Sequence, residues 1–142
     1  MRRESIYGAM FARLSAIDGL ATCSRRLRHF SDVPPSEQPA LFVAQASQQL
    51  QQVTGQPTVA VLEAKVWVYT NDPNPELPPA AAINDILDQI DQALAPSAGP
   101  SHKQTLGGLC EHCWVDGTIE TDEGTLGDQS VAILTIKILT TI

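Results

Sequence analysis

The segment at residues 58–70, TVAVLEAKVWVYT, constrains the fold of this chain more than any other. It alternates with a period of two, which places five small or aliphatic side chains on one face: Ala60, Leu62, Ala64, Val66 and Val68. This pattern, rich in β-branched and aromatic residues, predicts a half-buried β-strand. At ~3.3 Å per residue it spans about 43 Å, roughly twice an ordinary strand. We therefore expect one end to leave the core as a long projecting hairpin, or to be covered by a neighbouring subunit.

The other face of this strand carries charged and aromatic side chains. Glu63 and Lys65 lie in its middle, and Trp67 and Tyr69 follow them. Aromatic residues are enriched at protein interfaces. We therefore predict that Glu63, Lys65, Trp67 and Tyr69 belong to a subunit or partner interface.

Two amphipathic helices are predicted, at residues 3–17 and 79–95. Each has an apolar stripe at helical spacing, and Gly19 follows the first where a left-handed cap is expected. The stripes are Ile6, Met10, Leu14 and Ile17 in the first helix, and Ile83, Ile86, Leu87, Ile90 and Leu94 in the second. Pro79 suits the first turn of the second helix.

Alternation indicates further strands at residues 38–46, 113–120 and 130–139, and a weaker alternation indicates one at residues 21–30. Polar or glycine-containing connections are expected at residues 47–57 and 122–129. The order of elements predicts a single domain over residues 1–142, of the α+β class. We expect a mostly antiparallel sheet of four to five strands with two helices packed on one face.

The charge of the chain is unevenly distributed. The net charge is −7, but residues 1–29 hold six arginines against two acidic residues, a net charge of +4. Residues 30–142 hold three lysines against 14 acidic residues, a net charge of −11. Such a chain can attract copies of itself head to tail. An acidic chain is not typical of a general nucleic-acid binder, and no apolar run is long enough to span a membrane.

The basic cluster Arg25, Arg26 and Arg28 has two interpretations. It can contact nucleic-acid phosphates, or it can form a solvated strand face or a subunit interface, which the acidic chain favours. The acidic cluster Glu120, Asp122 and Glu123 lacks the spacing of a calcium loop. We predict that these acidic residues form a hairpin tip that meets the three arginines of the next subunit.

The stretch Cys110-Glu111-His112-Cys113 is the nearest approach to a metal motif. A structural zinc site takes four ligands, and no second Cys or His pair is present to complete one. We therefore expect buried or half-buried thiols and no metal or other cofactor. The motifs of hydrolases, metalloproteases and phosphate-binding loops are absent from the sequence, so we predict no enzyme.

Two stretches resemble small proteins of phage tail-gene modules: residues 24–42, SRRLRHFSDVPPSEQPALF, and residues 104–132, QTLGGLCEHCWVDGTIETDEGTLGDQSVA. The order of predicted elements is also similar to the tail terminator family of long-tailed bacteriophages, the family of the lambda minor tail protein U. The resemblance implies a structural virion protein without catalytic residues, assembled in the host cytoplasm and located at the head-proximal end of the tail.

The same resemblance implies the partners. These are further copies of the chain in a homo-hexameric ring, the major tail tube protein and the head–tail connector proteins. Such a ring ends tube polymerisation and provides the head-joining surface, and genome DNA may pass through it without sequence-specific contact. Two alternatives stay open, namely a connector or stopper protein of the phage neck and, from a different class, a small metal- or thiol-dependent regulator.

Overall fold

The structure, a computed structural model, describes residues 2–142. The expected single domain begins at Met1, which lies outside the described residues. Two helices and five strands follow one another along the chain. They are α1 (Arg2–Ser15), β1 (Thr22–Ser24), β2 (Ala40–Gln51), β3 (Val59–Asn71), α2 (Ala81–Ala93), β4 (His112–Leu126) and β5 (Gln129–Thr141). Two short 3-10 turns, Phe30–Asp32 and Pro35–Glu37, lie between β1 and β2.

The five strands form one mixed sheet in the order β1-β2-β3-β5-β4. β1 pairs with β2 in parallel, and the other three pairs are antiparallel. Both helices pack on one face, where their apolar stripes join the inward side chains of β3 and β5 in a single core. The predicted α+β architecture is confirmed.

β3 lies at the centre of the sheet and pairs with β5 over its whole length, from Val59 opposite Thr141 to Asn71 opposite Gln129. All five residues of its predicted apolar face are completely buried. One end of this strand was expected to leave the core, but on this face β3 is covered from Ala60 to Val68. The part of the β2–β3 hairpin that extends from the core is the outer half of β2 and the turn, since residues 45–57 are exposed.

β1 is much shorter than the strand expected at residues 21–30. It pairs with only three residues of β2, from Ala40 to Phe42. The Ser24 hydroxyl then accepts a hydrogen bond from the backbone N–H of Arg26 (3.0 Å), which turns the chain out of the sheet. Serine side chains compete with strand pairing through such local bonds. The alternation expected for residues 25–30 is therefore not formed.

β2 and β4 are longer than predicted, for two reasons. β2 continues through residues 47–51, which were expected to be a connection, and a bulge lies between Gln45 and Gln48. β4 contains two irregularities, near Gly117 and Gly124, whose backbones have φ of +71° and +83°. Bulges of this kind absorb extra residues without ending a strand. The predicted loop at residues 122–129 is thus reduced to the two-residue turn Gly127-Asp128.

The helices also begin or end slightly inside their predicted bounds. α1 ends at Ser15 rather than Ile17, and Gly19 lies beyond it with φ of +88°. α2 begins at Ala81, so Pro79 precedes its first turn. Ala80, at the N-cap position, supplies no side-chain cap. The buried residues of both stripes match the predicted ones, except that Leu87 is half-buried.

The face of the sheet away from the helices, the open face, is covered at one end only. There the segment between β1 and β2 brings Phe30 and Val33 over Ala40, Phe42 and Tyr69. These side chains make a second, smaller core. The rest of the open face alternates partly exposed aliphatic residues with charged ones.

Candidate interaction surface

The second core removes one predicted contact residue from the surface. Tyr69 is 3% exposed, and its hydroxyl donates a hydrogen bond to the carbonyl oxygen of Arg28 (2.7 Å). Its ring lies 5.5 Å from that of Phe42, between centroids. Burial also raises the pKa of the Tyr69 hydroxyl. Tyr69 therefore holds the covering segment in place and is not available to a partner in the folded chain.

The three predicted arginines differ in their surroundings. Arg25 forms an ion pair with Glu4 of α1. Arg28 pairs with Glu37 (3.1 Å), and its guanidinium lies 5.5 Å from the centroid of the Phe42 ring. The side chain of Arg26 is exposed and has no hydrogen-bond or ion-pair partner among residues 2–142. Of the three charges, only that of Arg26 is uncompensated within the described chain.

The charged centre of the open face is internally paired in part. The Ser47 hydroxyl donates a hydrogen bond to Glu63 (2.7 Å), whereas Lys65 is exposed and has no such partner in the described part of the chain. Trp67 is half-buried against the second core. Glu63, Lys65 and Trp67 remain candidates for a contact surface.

A further polar group on this face was not predicted as a site. Trp114 donates its indole N–H to Asp116 (3.0 Å), and Lys137 of the adjacent strand lies 3.1 Å from the same carboxylate. These two hydrogen bonds, first that from Trp114, lower the pKa of Asp116. The alternation of β4 does place Trp114 and Asp116 on one face, but the register with Lys137 is not visible in the sequence.

The three predicted acidic residues also separate into different roles. The carboxylate of Glu123 accepts a hydrogen bond from the backbone N–H of Ala80 (2.8 Å), just before α2. Glu120 is exposed, and its carboxylate has no partner among residues 2–142. The Oδ1 of Asp122 is shielded from solvent and accepts no hydrogen bond from the described residues. Glu123 is therefore occupied at the α2 N-terminus, and the other two carboxylates are uncompensated.

Glu120 and Asp122 line a cavity of about 280 Å³ on the open face. It lies between β4, β5 and the covering segment, and its lining is otherwise mostly apolar. The remaining lining residues are Phe30, Thr121, Leu126, Val131 and Ile133. No basic residue contributes to the lining, so the cavity combines apolar walls with two acidic groups.

Among residues 2–142, no predicted arginine forms an ion pair with a predicted acidic residue. The acidic residues lie on β4, at one edge of the sheet, and the arginines begin the segment that follows β1, the strand at the other edge. The same segment crosses the open face, where its Phe30 lines the cavity beside Glu120 and Asp122. A contact between the arginines of one copy and the acidic residues of the next stays a prediction.

The cysteine-rich stretch is part of the main core. Cys113 is completely buried, and burial raises its pKa to about 12. Burial and then the charge of Glu111 raise the pKa of Cys110. His112 accepts a hydrogen bond from the backbone N–H of Gln104 (3.1 Å) and stacks on Trp114. These thiols stay protonated near neutral pH, which does not suit thiol chemistry.

Within residues 2–142, no group of three or more His, Cys, Asp or Glu side chains is arranged to hold a metal ion. In the same part of the chain, neither helix combines the length and the apolar character that a membrane crossing requires.

Comparison with known proteins gives a structural likeness. No protein-family model matches the sequence, and neither does any curated protein. Among solved structures, the chain is similar to a chain of the virion of a native gene transfer agent particle, with a TM-score of 0.57 and 13% identity. The likeness covers 95% of this chain and 93% of the other. At this identity it shows that the two chains share a fold over nearly their whole lengths.

Proposed function

We propose that this chain is a structural protein of a phage-type virion. The observation that carries the proposal is the shared fold with a chain of a gene transfer agent virion over 95% of this chain. The resemblance of residues 24–42 and 104–132 to phage tail-module proteins supports the same assignment. The exposed charges of Arg26, Lys65 and Glu120, which have no partner among residues 2–142, are available for contacts with other proteins and agree with this assignment.

Within the virion, the role we propose is that of the tail terminator. Copies of the chain close into a ring, a hexamer by family resemblance, on the last ring of the tail tube. The ring stops addition of the major tail tube protein and presents a surface to the head–tail connector proteins. Genome DNA passes through its centre without sequence-specific contact, and the protein works without a cofactor.

Uncompensated charges of both signs support a ring. The basic residues that follow β1 and the acidic residues of β4 are different groups, so a contact between those of one copy and those of the next is head to tail. Contacts of this type generate a closed ring when the rotation between subunits closes, and an open filament when it does not.

The test is the mass of the purified protein by light scattering, alone and after mixing with tubes polymerised from the major tail tube protein of the same particle. We expect a ring in solution, or a monomer that forms a ring at tube ends, visible by electron microscopy. A protein that stays monomeric or dimeric and ignores the tubes would overturn the terminator role. Binding to the head-side portal ring instead of the tube would identify a neck connector or stopper.

A further inference from the structure

The cavity on the open face has the composition of a receptor for a long cationic side chain. Its walls contain Phe30, Leu126 and Ile133, and its acidic groups are Glu120 and Asp122. Arginine buries its aliphatic stem along apolar surface while its guanidinium binds carboxylates. The cavity has a volume of about 280 Å³, which leaves room for one long side chain.

The two carboxylates lack a cation within the described chain. Glu120 has no partner among residues 2–142, and no described residue donates a hydrogen bond to the Asp122 carboxylate. A guanidinium forms strong, charge-assisted hydrogen bonds with carboxylates. The cavity can therefore accept a cationic side chain from another copy of the chain.

The chain itself carries a matching cation that does not contact its own cavity. Arg26 is exposed, its guanidinium is unpaired in the described residues, and it is not among the residues that line the cavity. Arg25 and Arg28 are held by Glu4 and Glu37. Charge complementarity therefore selects Arg26 among the three arginines of this segment.

From this geometry we infer that Arg26 of one copy inserts into the cavity lined by Glu120 and Asp122 of the next copy. The inference rests on the proposed function in one respect, namely that the copies assemble in a ring. Each subunit then offers one donor and one receptor, so every contact in a closed ring is identical. Arg25 and Arg28 keep their intrachain partners and do not cross the interface.

The test compares two substitutions of equal charge change. Arg26→Glu removes the donor, whereas Arg13→Glu changes another exposed arginine, on α1, that has no partner among the described residues. Self-association is measured by analytical ultracentrifugation over a concentration series, with circular dichroism to confirm folding. We expect Arg26→Glu to raise the dissociation constant about 30-fold or more, and Arg13→Glu to leave it near the wild-type value.

A charge exchange separates a direct contact from a general electrostatic effect. The triple variant Arg26→Glu, Glu120→Arg, Asp122→Asn reverses the donor and receptor, and we expect it to recover association to within about tenfold of wild type. Failure to recover, or an equal loss in Arg13→Glu, would overturn the contact. The contact would also be overturned if the Arg26→Glu variant associated as tightly as the wild type. The same holds if the wild-type protein remained monomeric at every concentration and formed no ring at tube ends.

Failure of the proposed function has a different signature. A wild-type protein that associates through Arg26 but never binds tail tubes would leave the contact standing and overturn the terminator role. If the wild-type protein and the Arg26→Glu variant cap tubes equally well, the contact through Arg26 is overturned and the terminator role stands.

Discussion

The two faces of the sheet are built from the same strands but differ in what covers them. On the helix face, the alternate residues of β3 and β5 from Ala60 to Val68 and from Ala132 to Ile138 are at most 1% exposed. On the open face, the intervening residues are covered at one end by the segment containing Phe30 and Val33, and the remainder are partly exposed. One face supplies a continuous core, while the other carries the cavity lined by Glu120 and Asp122.

Because side chains alternate along the strands, the residues that stabilise the fold and the residues that can contact other molecules lie on opposite faces of the sheet. Changes on the helix face should act mainly on unfolding, and changes on the open face mainly on contacts between molecules. Comparisons of matched positions on the two faces test this separation.

The largest effect is expected from a matched pair on β5. Ile136 is completely buried on the helix face, and Ile133 is partly exposed on the open face. Ile136→Ala should lower the free energy of unfolding by ~2–5 kcal/mol, because it leaves a cavity in the core. Ile133→Ala should cost less than about half as much. Denaturant unfolding of both variants measures the difference, and equal losses would contradict the separation of the two faces.

The second effect is the pH dependence of stability that arises from the buried thiol of Cys113 on the helix face. Burial raises the pKa of Cys113 to about 12, so the folded chain keeps a proton that the unfolded chain releases above its ordinary thiol pKa. Stability should therefore fall as pH rises from about 9 towards 12, by at most about 1.4 kcal/mol per pH unit from this thiol. Unfolding curves at several pH values test this, with Cys113→Ala as the control that should show a shallower fall.

A smaller effect is expected where the covering segment is attached. Tyr69→Phe removes the hydrogen bond from the hydroxyl to the Arg28 carbonyl oxygen and should lower the free energy of unfolding by ~1 kcal/mol. Hydrogen exchange at residues 28–38 should increase more than exchange in β3. If exchange rises equally throughout the chain, Tyr69 does not act on the covering segment in particular.

The smallest effect is expected at the start of α2. Glu123→Gln weakens the acceptor for the Ala80 N–H and removes a negative charge from the helix N-terminus, at a cost of ~0.3–1 kcal/mol. Glu120→Gln makes the same chemical change at an exposed carboxylate without a partner in the described chain, and it should leave stability unchanged. Thermal unfolding at concentrations where the protein is monomeric compares the two, and a similar loss in both would contradict the role of Glu123.

The core could be predicted from the sequence because its signals are periodic and local. The alternation in β3 and β5 and the stripes of both helices place the buried residues correctly. The ends of the elements were less predictable. The length of β4 depends on bulges at Gly117 and Gly124, and the shortness of β1 depends on a turn that the Ser24 hydroxyl stabilises.

The site was predicted less completely, because its residues are selected by partners far away in the chain. Tyr69 bonds Arg28 across 41 residues, and Glu123 bonds Ala80 across 43. Neither partner can be identified from spacing or composition. The sequence could therefore indicate the charged groups, but not which of their members are already occupied: Arg25, Arg28 and Glu123 are, whereas Arg26, Glu120 and Asp122 are not.

The strand order has a consequence for biosynthesis. β5 lies between β3 and β4, so the central strand obtains its second neighbour only after every other element has been made. A nascent chain can form the β2–β3 hairpin early, but the apolar side chains of β3 then lack the β5 residues that pack beside them. Pairings between distant segments are slow to form and leave apolar surface exposed meanwhile. Completion of this core therefore waits for the synthesis of β5, and a chain interrupted within β5 is expected to leave the apolar face of β3 without its second neighbour.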